Sequence, residues 1–238
     1  MRPPRVLAAN VCVMSMEQIQ KDFDRIAVLS EHESEHGGAY DPFLLRFIPP
    51  ACDRALEIGC GTGAFTRLLA RRAKRVTATD LSGEMIRVAR RLSTGYRNID
   101  YSVGDVLEMN LPVGHFDCIV MIATLHHLPT GSVLEKLKQA LTPGGALIVH
   151  DLLTPAGVFD RAADLVRLPA SMARRCLKTG RLWARRDVRR AWAEHGKGER
   201  YLTRQGVEAM RDQYLQGGYV RFHLLWRYTL VWRKQDDV

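Results

Sequence analysis

Between Arg54 and His150, short apolar runs alternate with helix-like segments, and this rhythm constrains the chain more than any other feature. It predicts strands at Arg54–Ile58, Arg75–Thr79, Asp100–Val103, Phe116–Ile122 and Ala146–His150. Helices are predicted between them at Ala64–Arg72, Ser82–Leu92 and Val133–Leu141. Strands joined through helices run parallel, because parallel neighbours need a long crossover. The expected fold class is therefore α/β, a doubly wound, mostly parallel sheet. After Asp151 the rhythm breaks, and residues 156–200 are read as a helical insertion or lid over one end of the sheet. Two closing runs, Tyr219–Phe222 and Leu224–Trp232, lie too close together for a helical crossover and predict an antiparallel C-terminal strand pair. Upstream, Ile19, Phe23, Ile26 and Ala27 mark one face of a helix from Ser15 to Leu29, with Ser15 as its cap. Ser30–Tyr40 reads as a polar loop, residues 1–15 as a disordered or loosely docked tail, and 16–238 as a single domain.

The turn between the first strand and its helix reads Glu57-Ile-Gly59-Cys-Gly61-Thr-Gly63-Ala64. Glycines there permit positive φ and let a ligand lie against bare backbone, while the following helix start offers unpaired N–H groups. The string also satisfies the dinucleotide pattern G-x-G-x-x-A, so by itself it admits a nicotinamide enzyme as well as other nucleoside-cofactor enzymes. Asp80 ends the second strand, where a carboxylate can accept from two ribose hydroxyls. It can equally belong to the capping region of the Ser82 helix.

Composition narrows the partners. The longest apolar run, around Phe116 to Leu125, is too short for a membrane span, which needs about 18 residues. Five cysteines without a C-x-x-C pair argue against a disulfide framework and a structural zinc site, and point to a reduced, cytoplasmic protein. Residues 1–150 hold 17 Lys/Arg against 16 Asp/Glu, whereas residues 151–238 hold 18 against 10. Much of that surplus lies between Arg174 and Arg190. Such a block attracts acidic substrates, nucleic acid or a membrane surface, or is simply a solvated helix face beside Val188, Ala191 and Trp192.

The run Ala55–Gly63 with Asp80, Gly104-Asp105, the stretch Phe116–Pro129 ending Leu-His-His-Leu-Pro, and Leu141-Thr-Pro-Gly-Gly145 together resemble the class I S-adenosylmethionine-dependent methyltransferases. The likeness is nearest to the bacterial methyltransferase type 11 group, whose chains similarly end in a run like Leu224–Trp232. The resemblance implies a Rossmann-like fold and S-adenosylmethionine as cofactor. It implies that Gly59, Gly61 and Gly63 line the methionine part, that Glu57 orders the loop, and that Asp80 holds the ribose with Leu81 against the adenine. Asp105 would accept from the adenine amino group with Val106 beside it, unless it only caps the turn after the third strand. Ile122 and His127 would lie near methionine and ribose, and His36 and Tyr40 would fold over the cofactor.

Methyl transfer from a sulfonium is an in-line displacement, so holding nucleophile, methyl carbon and sulfur collinear is the main task, worth about 7–11 kcal/mol. Acid–base help is needed only where the acceptor loses a proton. His127 and Tyr40 are the favoured groups, with His126, His150, His36 and Asp151 behind them. Ligand spacing along the chain shows no metal site, so a metal-independent reaction is expected. The expected acceptor is a small molecule. An RNA substrate drawn by the basic block and a cofactor-binding module without catalysis are the alternatives, and the oligomeric state is left open.

Overall fold

The computed structural model describes residues 14–30, 38–154, 185–224 and 226–235, with isolated positions between 169 and 183. The expected tail up to residue 13, His36, and most of the expected insertion before residue 185 lie outside the described residues.

Seven strands form one sheet: β1 (Cys52–Ile58), β2 (Ala73–Asp80), β3 (Ile99–Val103), β4 (Phe116–Ile122), β5 (Leu141–Leu152), β6 (Tyr219–His223) and β7 (Arg227–Arg233). Their order is β3-β2-β1-β4-β5-β7-β6. The first five are parallel, whereas β7 is inserted antiparallel between β5 and β6. The order reverses direction at β1 and β4, and the crevice at their carboxyl ends is where such sheets bind ligands.

Period-two alternation sends neighbouring residues of each strand into different layers. Leu56 and Ile58 of β1 and Ile119 and Met121 of β4 pack on one face with Leu134 and Leu137 of helix α5 (Thr130–Ala140) and Val207 and Met210 of α7 (Arg204–Tyr214). Ala55, Cys118 and Val120 face the other way, toward Leu44 of α2 (Asp41–Leu44) and Phe65 and Leu69 of α3 (Ala64–Leu69). Because both faces are covered, the middle of β4 is fully buried and reads as a continuous apolar run rather than an alternating one.

Helix α1 (Met16–Leu29) is capped as expected, Ser15 Oγ accepting from the Gln18 N–H at 3.2 Å. Its buried Ile26 and Ala27 pack with Met85 of α4 (Gly83–Leu92) and Ala191 of α6 (Arg186–His195). The expected stripe on α6 is present in Val188 and Ala191, both buried, while Trp192 stays about half exposed.

Several boundaries differ from the sequence-based expectation for physical reasons. The helix after β1 ends at Leu69, three residues early, because β2 already begins at Ala73. Strand β5 starts at Leu141 instead of Ala146. Leu141 pairs with Phe116, and the Pro143-Gly144-Gly145 turn becomes a kink within the strand, closed by reciprocal bonds with the Lys234 backbone. Leu224 belongs to the turn, and β7 begins at Arg227. Helices α2 and α7 lack sequence-based counterparts; the signal for α7 was Thr203, whose hydroxyl accepts from the Gly206 N–H at 3.1 Å, ahead of Val207 and Met210.

Candidate active site

A cavity of about 500 Å³ opens at the carboxyl ends of β1, β2 and β4. One wall is backbone. Gly59 and Gly61 have φ of +69° and +53°, a region that side chains strain to adopt. A Cβ on Gly59 would lie 2.1 Å from Thr124 Oγ1, whereas one on Gly61 would meet nothing within 4 Å, so the bare Gly61 backbone borders open space. Gly63, also at positive φ, caps α3 and is not part of the lining.

Carboxylates hold this wall in shape. Asp80 accepts from the Gly61 N–H at 2.8 Å and the Ser82 N–H at 2.9 Å, bridging the glycine turn and the start of α4. Ser82 caps α4 itself through the Met85 N–H at 3.0 Å and donates to Asp24 at 2.5 Å, so Asp80 is not the cap. A carboxylate offers about four acceptor positions, and these two bonds leave others for a ligand. Burial raises the Asp80 pKa while the two backbone N–H groups oppose it. Glu57 accepts from Thr66 of α3 at 2.5 Å, and burial pushes its carboxyl up to about 8. Asp105 accepts from the Leu107 N–H at 2.8 Å, so it does cap the turn after β3, and it lines the cavity as well.

The opposite wall is made of side chains from α1 and α6, among them Ile19, Phe23, Val188 and Trp192. Leu81, Val106, Ile122 and His127 also reach the cavity. Ala123, in the lining just beyond β4, holds φ at +52°, unusual for a residue with a Cβ.

Tyr40 is placed elsewhere. Its ring packs on His223 at 4.3 Å and His150 at 5.0 Å between centroids, under the β5–β7 end, and does not line the cavity. His150 is likewise engaged, with Thr229 Oγ1 2.9 Å from its Nδ1. Burial, with Arg227 nearby, lowers its pKa to about 3.

Beside the cavity lies a cluster that sequence reasoning did not assemble. His126 and His127 form the turn after β4, and the His126 Nδ1–H donates to Asp151 of β5 at 2.7 Å. Its Nε2 lies 3.2 Å from Glu199, and His195 at the end of α6 lies 2.6 Å from the same carboxylate oxygen. Asp22 of α1 accepts from His195 Nδ1 at 3.1 Å. Burial works against charge on His126, yet Asp151 and Glu199 outweigh it and bring the group to about 9. Burial and the neighbouring His126 charge depress His127 to about 4. Glu199 is held low by His126 and His195 against the cost of burial. The early signs of this cluster were the His126-His127 pair and Asp151. The expectation of no metal rested on spacing along the chain, and that ground is removed, since His126, His127 and Glu199 bring ligand atoms within 4.8 Å of one another.

A glycine turn at the switch point of a doubly wound sheet, with a buried carboxylate at the end of β2, defines a nucleoside-cofactor site of the kind methyltransferases use. Comparison with known proteins gives the family. Residues 56–149 match the methyltransferase domain family. The chain is 32% identical over 163 residues to the ubiquinone biosynthesis O-methyltransferase of Xanthomonas axonopodis, covering 62% of this chain and 68% of that one. It is 36% identical over 120 residues to an uncharacterized methyltransferase of Mycobacterium tuberculosis, covering 49% of this chain; it spans 59% of that relative's length. Among solved structures, N-methyltransferase NodS of Bradyrhizobium japonicum with S-adenosyl-L-homocysteine superposes at a TM-score of 0.62, with 19% identity and coverage of 91% and 98%. Geranyl diphosphate C-methyltransferase of Streptomyces coelicolor gives 0.66, with 10% identity and coverage of 93% and 97%. The chain belongs to the class I S-adenosylmethionine-dependent methyltransferases, and S-adenosylmethionine is its cofactor.

Proposed function

We propose that the chain transfers the methyl group of S-adenosylmethionine to a small molecule by in-line displacement. The observation that carries this reading is the cavity, with Asp80 clamped between Gly61 and Ser82 at its cofactor end and a side-chain wall facing it. Its size falls within the roughly 300–1,000 Å³ of small-molecule sites. In this reading Asp80 takes the ribose hydroxyls, Gly59 and Gly61 border the methionine part, and Leu81, Asp105 and Val106 frame the adenine. Glu57 acts through Thr66 by tying β1 to α3, and Ile122 and His127 stand toward the reacting end. The sulfonium is already an activated leaving group, so the displacement itself is metal-independent. An acceptor's proton, where there is one, leaves on the side lined by His127.

Residues 156–200 are read as the cover of the acceptor pocket, of which α6 is the described part. The arginines of α6 support a small-molecule acceptor over RNA. Arg185 pairs with Asp187, Arg190 pairs with Glu194, and Arg189 lies over the Trp183 ring at 5.3 Å, which leaves less positive charge for phosphates. Among the described residues no helix is long and apolar enough to cross a membrane. The free thiols of buried Cys52, Cys60 and Cys118 support a cytoplasmic setting.

Calorimetric titration with S-adenosylhomocysteine tests the reading. Asp80→Asn is expected to weaken binding about 100-fold, since each hydrogen bond to a charged group is worth about 1.5–3 kcal/mol. Equal affinity in wild type and variant would overturn the ribose assignment, and no saturable binding by wild type would overturn the reading itself.

A further inference from the structure

The histidine–carboxylate cluster at the edge of the cavity has the geometry of a metal site. His126 Nε2 and His127 Nε2 stand 3.2 and 3.5 Å from Glu199 Oε1. Ligands at about 2.0–2.1 Å from a tetrahedral ion lie about 3.3 Å from one another, so the two edges to Glu199 already have the length of a coordination polyhedron's, and all three residues bring ligand atoms within 4.8 Å of one another. The three side chains are only 5%, 7% and 7% exposed. Among the described residues, neither buried ring nitrogen of His127 has a hydrogen-bond partner, and an unpaired buried polar atom is costly unless a ligand meets it.

The surroundings are those of a supported site as well. Metal-binding imidazoles typically donate their second N–H to a carboxylate, which fixes the tautomer and turns the other nitrogen toward the ion. Asp151 does this for His126. His195 Nε2 lies 2.6 Å from the same Glu199 oxygen and is anchored by Asp22, so it holds the carboxylate in place. The elements involved, the turn after β4, β5, α1 and the segment after α6, meet only in the folded chain.

We propose that His126, His127 and Glu199 form a binding site for a first-row divalent transition metal such as Zn²⁺. Two imidazoles and one carboxylate suit such an ion, whereas Mg²⁺ and Ca²⁺ prefer all-oxygen shells. Three protein ligands leave a coordination position open, the arrangement of catalytic rather than structural sites. Because His127 lines the cavity, a molecule held there reaches that position. Resting on the methyltransferase reading, this deepens it. The favoured acceptor presents an oxygen donor to the ion, which lowers that oxygen's pKa so that its proton passes to solvent water, and His127 then serves as a ligand instead of as the base.

The full chain, stripped with a chelator and dialysed, is titrated with CoCl₂ and followed by visible ligand-field absorption. The expected result is a band that saturates at one equivalent per chain, is displaced by Zn²⁺ and is not displaced by excess Mg²⁺. Glu199→Gln and His127→Gln should each weaken Co²⁺ at least 10-fold, while His115→Gln, away from the cluster, leaves it unchanged. Circular dichroism and the thermal transition of the same samples show that the variants are folded, and titration of the wild type with S-adenosylhomocysteine separates the two readings. A protein that binds S-adenosylhomocysteine but shows no saturating band, or the same Co²⁺ affinity in all variants, overturns the metal site and leaves the methyltransferase reading standing. Metal binding without S-adenosylhomocysteine binding does the reverse.

Discussion

The two walls of the cavity are built on different principles. The wall that the proposed function gives to the cofactor is backbone held by short-range bonds. Gly59 and Gly61 turn at positive φ, and Asp80 ties that turn to the start of α4. The facing wall is side chain held by long-range contacts: Phe23 of α1 packs against His195 at 4.7 Å and His127 at 5.6 Å, and Glu199 gathers imidazoles from distant parts of the chain. A ligand that never changes can be met by a rigid backbone cradle, whereas side chains can be exchanged to suit another acceptor without disturbing the sheet. The difference teaches where specificity is free to vary.

The largest expected effect that would break this contrast lies at Gly59. Gly59→Ala combines a strained φ with a Cβ 2.1 Å from Thr124 Oγ1, and is expected to weaken S-adenosylhomocysteine at least about 100-fold in a calorimetric titration, from strain and displacement of order 3 kcal/mol. If affinity is retained, the backbone cradle is not what binds. On the other wall, Phe23→Ala should lower stability by about 2–3 kcal/mol in chemical unfolding yet change S-adenosylhomocysteine affinity less than about 3-fold. A loss of cofactor affinity comparable to that of Gly59→Ala would erase the distinction between the walls.

The smallest effect concerns pH. Glu57 has a folded pKa of about 8, above its ordinary 4.5, so the folded protein holds a proton that the unfolded chain has released. Its contribution is therefore fully present below about pH 4.5 and is lost as the pH rises through about 8. The melting temperature of the wild type should fall more between pH 6 and pH 9 than that of Glu57→Gln, which has no such proton to lose. Parallel curves would show that the Glu57–Thr66 contact is not carried by a neutral carboxyl.

The same contrast explains what could be read in advance. The parallel core and its glycine turn were legible because their requirements are local: a strand needs consecutive apolar residues, a positive φ needs glycine, and a carboxylate at the end of β2 follows at fixed distance. Phe116–Ile122 is recovered residue for residue as β4. The cluster behind the facing wall was not legible, because nothing near Glu199 or Asp22 in sequence marks them; their meaning comes from meeting His126 and His195 across 73 and 173 residues. Tyr40 was misplaced for a related reason. A residue just before α2 can turn toward the cavity or toward β5 and β7, and the rings of His150 and His223, which decide it, lie far along the chain.

The insertion of β7 between β5 and β6 also bears on how the molecule is made. One edge of β5 pairs with β4, but residues 146–152 find the partner of their other edge in residues 227–233, which emerge about 75 residues later during synthesis. Until then a growing polypeptide presents an unpaired, apolar strand edge beside Asp151, open to mispairing with another copy. A premature stop anywhere before Arg227 would thus leave the glycine turn intact in sequence while removing the seam along this edge of β5, and quality-control proteases would meet a sticky fragment instead of a folded enzyme.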